Sequence, residues 1–272
     1  MDRRTFHRLC GGLLGGAAAL HREHAVAFGG GIARDGANAR RAATARDRRS
    51  SDTADSPNAA VGPWPCTRLV DADDTPLTLA SLAPGESRIF HYPYRVTPCF
   101  LLRLAPTGAA TASEPTTPAA AVGGWPGGLG DDGSIVAFSA ICSHKMSHPA
   151  RPISHIAYRA EPLEFVDRDG ARRTRAGLIS CCSERSVYDP ADGARVLAGP
   201  APVPLAAIEL ALDDDGAIVA VASLGLDRYE RFLDTFGFRL ALEHGSSDVR
   251  RRSGDIAAAV PADGFSRQQI RC

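Results

Sequence analysis

The chain has 272 residues, with 31 basic and 31 acidic side chains and a formal net charge of zero. That balance lacks the basic excess of a nucleic-acid binder, and no acidic block forms a cation-binding tail. At 44% hydrophobic residues, the chain is long enough for one full domain or two small ones with a sizeable core.

Residues 1–27 form an address. Asp2-Arg3-Arg4-Thr5-Phe6-His7-Arg8 is followed by a weakly apolar run from Leu9 to Leu20 that contains four glycines. This resembles a twin-arginine signal, with two adjacent arginines, a Phe and a modest apolar region. Twelve residues are too short and too polar to span a bilayer. Ala25-Val26-Ala27 supplies a small-x-small cleavage site before Phe28. The expectation is an exported, periplasmic protein, attached to the membrane only where the signal stays uncleaved. Residues 28–63 follow as a disordered linker of Gly, Ala, Arg, Ser and Asp, too poor in large apolar side chains to offset its ordering entropy.

Structure is expected from Trp64 to residue 224 as a mainly β, small antiparallel domain. Thr67–Val70 and Leu77–Leu82 read as short strands or turns; Ser87–Tyr94 and Cys99–Leu104 read as strands, broken by Pro93 and Pro98. Thr107–Asp132 is Pro/Gly/Ala/Thr-rich and reads as a long surface loop. Ser134–Ala140 is an apolar strand leading into Cys142, and Ile153–Arg159 and Leu163–Val166 are further strands. Arg168-Asp169-Gly170 is a hairpin turn with Ala176–Ser180 as the return strand. Asp192-Gly193 turns the chain into Arg195–Leu197, and Ile208–Leu212 with Ile218–Val221 make another hairpin. A C-terminal helix is expected over 225–245, with apolar residues at 226, 229, 232, 233, 236 and 240. The tail, 246–272, is polar and weakly patterned.

Seven cysteines, at 10, 66, 99, 142, 181, 182 and 272, are too sparse for a disulfide-stapled miniprotein. Cys142, Cys181 and Cys182 stand among turn residues, with His144 and His148 close by in sequence, which points to a metal site. Cys66 and Cys99 are either a disulfide pair or two unpaired buried thiols, and Cys272 reads as incidental. His91, Tyr92 and Tyr94, alternating with prolines, read as edge-strand packing.

Two segments carry the chemistry. One is Ile141-Cys142-Ser143-His144-Lys145-Met146-Ser147-His148-Pro149; the other runs from Ser180-Cys181-Cys182-Ser183-Glu184-Arg185-Ser186-Val187-Tyr188 to Gly199-Pro200-Ala201-Pro202-Val203-Pro204-Leu205. Together they resemble the two cluster-binding loops of Rieske iron–sulfur proteins, followed by the proline run that covers the cluster. The resemblance covers roughly Ser134–Val221 and implies a Rieske-like β-sandwich or barrel. It also implies a [2Fe–2S] cluster held by Cys-x-His in one loop and Cys-x-x-His in the other, two thiolates on one iron and two imidazoles on the other. Cys142 and His144 match the first pair. In the second loop no histidine stands where one is expected: taking Cys181 as the thiolate puts Glu184 there, and taking Cys182 puts Arg185 there. A guanidinium cannot ligate iron, so Glu184 is the better substitute, with His148 a recruit from the first loop. In the Cys181 register, Ser186 and Tyr188 match the hydroxyls that donate to cluster sulfurs. Many family members link the loops by a disulfide, but Ser147 occupies the position expected in the first loop.

The resemblance implies an exported electron-transfer protein or redox subunit, working with a partner such as a cytochrome or the catalytic subunit of an oxidase. Two alternatives stand beside it. One is a Rieske scaffold that has lost its cluster and serves as a structural or interaction domain. The other is a zinc site of Cys142, His144, Cys181 and Cys182, in which adjacent cysteines would chelate awkwardly.

Overall fold

The computed structural model describes residues 64, 66–105 and 125–272. The expected signal over 1–27, the linker over 28–63 and residues 107–124 of the expected surface loop lie outside them. In chain order the strands are β1 (Thr67–Val70), β2 (Ser87–His91), β3 (Pro98–Arg103), β4 (Ile135–Ser139), β5 (Ile156–Arg159), β6 (Leu163–Val166) and β7 (Arg172–Arg175). They continue as β8 (Leu178–Cys181), β9 (Ser186–Asp189), β10 (Arg195–Ala198), β11 (Ala207–Leu212) and β12 (Ile218–Ser223). Helix α1 (Leu226–His244) follows, then β13 (Ile256–Ala258), β14 (Val260–Pro261) and the short α2 (Ala262–Phe265).

Eight strands make one sheet in the order β13-β1-β12-β11-β4-β3-β2-β14, antiparallel except for the β1–β13 pair. Its two edge strands, β13 and β14, are separated in the chain by Ala259 alone, so the sheet curls round until its ends meet. The result is a nearly closed antiparallel barrel, an arrangement that leaves few free edges. A second sheet, β10-β9-β8-β5, and the hairpin β6-β7 complete the mainly β fold.

Strands β3 and β4 explain why the apolar runs Cys99–Leu102 and Ile135–Phe138 lack polar alternation. Successive side chains point to opposite faces, and both faces are covered. Cys99, Leu101, Ile135 and Ala137 enter one core with Phe90, Tyr92 and the Tyr229, Phe232, Leu233 and Leu240 stripe of α1. Phe100, Leu102, Val136 and Phe138 enter a second core with Ile156, Tyr158, Ile179 and Tyr188 of the smaller sheet. Each such aromatic or leucine side chain contributes roughly 1.5–3 kcal/mol of burial free energy. The second core anchors the smaller sheet, from which the second of the two chemistry-bearing loops springs.

Helix α1 fills the expected segment, with Gly225 and Gly245 as its caps. Gly245 ends it in a left-handed conformation, its N–H returning to the Ala241 carbonyl. No helix among the described residues is long and apolar enough to cross a membrane.

Several expectations are corrected. The return strand of the Leu163–Val166 hairpin is Arg172–Arg175, not Ala176–Ser180; the segment Leu178–Cys181 pairs with β5 instead. Pro98 opens β3 rather than breaking it. The tail is structured: β13 pairs with β1, β14 with β2, and the last residues lie along the start of β5. Cys99 is a free, buried thiol, so the Cys66–Cys99 bridge does not form. Cys272 is not incidental, because it is disulfide-bonded to Cys182.

Candidate metal centre

The first loop leaves β4 and folds back on itself within six residues. The Met146 N–H donates to the Cys142 carbonyl at 2.9 Å, and the Cys142 N–H donates to the Ser147 carbonyl at 2.9 Å. Met146 takes a left-handed φ of 55° to make that reversal. The second loop is the hairpin between β8 and β9, with Cys181 paired to Ser186 and Arg185 at φ 58°. Ser147 Oγ and Ser183 Oγ, 2.7 Å apart, join the two loop tips.

The fold brings Cys142 and Cys181, 39 positions apart in sequence, together as buried thiols of the same core. The Tyr188 hydroxyl lies 3.2 Å from Cys142 Sγ and also reaches Ser143. The neighbouring Cys181 thiol, reinforced by the Tyr188 hydroxyl and the backbone N–H groups of His144 and Lys145, pushes the Cys142 thiol below the usual thiol range against the effect of burial. Cys181 is held above the usual thiol range by the neighbouring Cys142 sulfur and by burial. Tyr188 is held up by burial and by the neighbouring Cys142 sulfur. The Cys142 sulfur therefore sits in a nest of donors suited to a thiolate.

A second pair stands nearer solvent. His144 Nδ1 is 3.4 Å from Glu184 Oε2, and Lys145 Nζ is 3.5 Å from the other carboxylate oxygen. Ser186 Oγ is buried and has no hydrogen-bond partner among the described residues. An orphaned buried hydroxyl beside a thiol pair is a donor awaiting an acceptor.

The segment Gly199–Leu205 closes over this region. Ser143 Oγ donates to the Val203 carbonyl at 2.6 Å, Arg228 to the Pro204 carbonyl and Arg168 to the Ala201 carbonyl. Gly199, at φ 78°, presses on the second loop so closely that a Cβ would meet the Arg185 carbonyl oxygen at 2.5 Å. Only glycine allows both that conformation and that approach.

Of the sequence-predicted residues, Cys142, His144, Cys181, Glu184, Ser186 and Tyr188 lie on these two loops and the strand that follows. Two do not join them. The sulfur of Cys182 is committed to Cys272, which removes it from any ligand set and with it the four-donor zinc arrangement. His148 turns away: its Nδ1 meets the Met146 carbonyl at 2.9 Å, and its ring stands edge-on to Phe232 and Phe236. Among the described residues, no three His, Cys, Asp or Glu side chains converge on a single metal-sized point. The donors fall into two pairs, one of sulfurs and one of nitrogen and oxygen.

The supporting residues Cys272, Arg168, Arg228 and Ser183 were not legible as part of this region. One signal existed for Cys272: of two adjacent cysteines only one can serve the loop, and the other needs a partner elsewhere.

No family model matches the chain, and no curated protein matches it. Among solved structures, it is similar to the soluble domain of Rieske protein II from Sulfolobus acidocaldarius, with 24% identity, covering 61% of this chain and 81% of that one at a TM-score of 0.37. It is also similar to the ferredoxin of carbazole 1,9a-dioxygenase from Nocardioides aromaticivorans IC177, with 19% identity, covering 58% of this chain and 96% of that one at a TM-score of 0.31. Superpositions this loose leave the functional reading to the chain's own residues.

Proposed function

We propose that the chain is an electron-transfer protein of Rieske type, exported by the twin-arginine route and serving a redox partner protein such as a cytochrome or an oxidase catalytic subunit. One observation carries the reading: the Cys142 and Cys181 thiols meet across two loops, with the Tyr188 hydroxyl on the Cys142 sulfur and the Ser186 hydroxyl unpartnered beside them. These residues suit a [2Fe–2S] cluster, whose two irons each take two protein ligands, so two separate pairs of donors are what it requires.

In this reading Cys142 and Cys181 hold one iron, and His144 with Glu184 holds the other. When bound, the cluster takes up and releases one electron at a time. Tyr188 and the backbone N–H groups of His144 and Lys145 neutralise charge on the Cys142 sulfur, and Ser186 has a hydroxyl to donate. Segment Gly199–Leu205, fastened by Ser143, Arg168 and Arg228, excludes water from the sulfur side. His144 remains partly exposed, which makes its ring edge the natural contact for a partner.

Glu184 in place of the second imidazole favours one other reading, a scaffold that no longer holds the cluster. Iron and acid-labile sulfide, assayed in protein exported with its own signal, separate the two, alongside an EPR spectrum after dithionite reduction. Two irons and two sulfides per chain with a low-average-g signal are expected. Colourless protein without iron would leave the cluster-free scaffold.

A further inference from the structure

Where the barrel closes, its two edges leave a cleft of about 390 Å³. Its walls come from β2, from the run Ser253–Val260 that includes β13, and from α2. The apolar surface is supplied by Ile89, Ile256, Val260 and Phe265, and the polar groups at the cleft include His91, Arg95 and Arg151. The volume falls within the range of small-molecule sites, which pair an apolar lining with a few convergent polar groups.

The charge in this cleft is one-sided. Two guanidinium groups line it and no carboxylate does. Arg68, Arg88, Arg173, Arg175, Arg195 and Arg250, by contrast, each meet an acidic side chain. Neither Arg95 nor Arg151 forms an ion pair with a described residue.

Both side chains lie against the cleft wall. Arg151 lies over the Phe265 ring, its guanidinium carbon 4.7 Å from the centroid, so the face is occupied while the N–H edge is left to donate. Arg95 runs past Gly254, where a Cβ would come within 3.6 Å of its Nη2. The His91 ring stands 5.5 Å from His244 and 5.9 Å from Phe265. Burial, then the charges of His244 and Arg151, push it down to about 4, so it is a neutral hydrogen-bonding group at ordinary pH.

We propose that this cleft binds a small organic carboxylate, its anionic head between Arg95 and Arg151 and its apolar body against Ile89, Ile256, Val260 and Phe265. A guanidinium fork matches a carboxylate in geometry, and an apolar body is what the lining can desolvate. A wholly polar anion such as phosphate would leave those walls uncovered.

The test is calorimetric titration of the full chain at fixed ionic strength with benzoate, with its neutral analogue benzamide and with inorganic phosphate. Benzoate is expected to bind saturably, and benzamide and phosphate at least about tenfold more weakly. Arg95→Met and Arg151→Met, made separately and checked by thermal melting, should each weaken benzoate about tenfold. Phe265→Leu should weaken it as well, by removing the surface on which Arg151 rests. Because the arginines are replaced one at a time, a variant that melts early leaves the other to decide. Absence of benzoate binding at millimolar concentration would overturn the proposal. So would equal affinity for benzamide or phosphate, or native affinity in both arginine variants.

Discussion

Cys181 and Cys182 are equivalent as letters, and only the fold separates them. Strand β8 ends by directing the Cys181 thiol into the second core, towards Cys142, and the next side chain necessarily faces the other way. Cys182 therefore meets the tail and bonds to Cys272. Cys181→Ser should lose iron, whereas Cys182→Ser should retain the native iron-to-chain ratio, measured by elemental analysis of matched preparations. Loss of iron in both variants, or in Cys182→Ser alone, would show the register to be wrong. The same register puts Glu184 beside His144. A carboxylate adds negative charge where an imidazole would not, so Glu184→His should raise the midpoint potential, by on the order of 100 mV. Protein-film voltammetry reads that shift directly, and an unchanged potential would mean that Glu184 is not a ligand. The composition of this region is legible in the sequence, because Cys142-x-His144 and Ser186-x-Tyr188 sit at informative spacings. The choice between adjacent cysteines is not, since it depends on a partner 90 positions away.

At the scale of elements, the C-terminal tail braces the site. The Ser266 hydroxyl donates to the Ala150 carbonyl, the Arg267 N–H to Arg151 and the Ile270 N–H to Ser154, while Arg159 reaches the Ile270 carbonyl. The tail thus runs alongside the exit of the first loop and ends covalently on the second. Cys272→Ser should lower stability by about 2–4 kcal/mol, since the bridge closes a long loop and restrains the unfolded chain. Thermal melting of the variant against the native protein, both without reductant, checks this; an unchanged midpoint would mean the bridge is dispensable. Cys182→Ser should melt at the same temperature as Cys272→Ser, because either change removes the same bond. This brace escaped sequence reading for a physical reason. Strands of three and two residues and a helix of four are shorter than the window in which apolar periodicity can be detected. The misplaced hairpin return has a similar cause: Arg172–Arg175 is charged and largely exposed, so its pairing with β6 comes from backbone hydrogen bonds rather than from a buried pattern. Helix α1, nineteen residues with a clean apolar stripe, has the opposite character, and its place in the chain follows from its spacing.

For the whole molecule, the half-buried His91 and His148 and the exposed His244, standing beside the cores, have their neutral forms favoured. His91 is pushed down to about 4, chiefly by burial, and burial also lowers His148 and His244. His91 faces His244 from α1, Phe265 from α2 and Arg151 from the first loop's exit, with no carboxylate among these contacts to favour its charged form. In the unfolded chain each histidine takes up a proton near pH ~6.5. Between that value and the folded one, the unfolded state binds more protons, so stability rises with pH and is lost as pH falls. For His91 alone the loss on reaching pH ~4 is roughly 3 kcal/mol, with His148 and His244 adding in the same direction. The hydrogen-bonded carboxylates Asp132 and Asp167, whose ranges are pushed lower still, lose their contribution only below this window. Urea midpoints should therefore fall steadily from about pH 7 to about pH 4.5, and His91→Gln, which cannot take the proton, should flatten much of that fall. A native profile that stays level over the same range would mean that His91 is protonated in the fold, and the one-sided positive charge of the cleft would then have to be larger still.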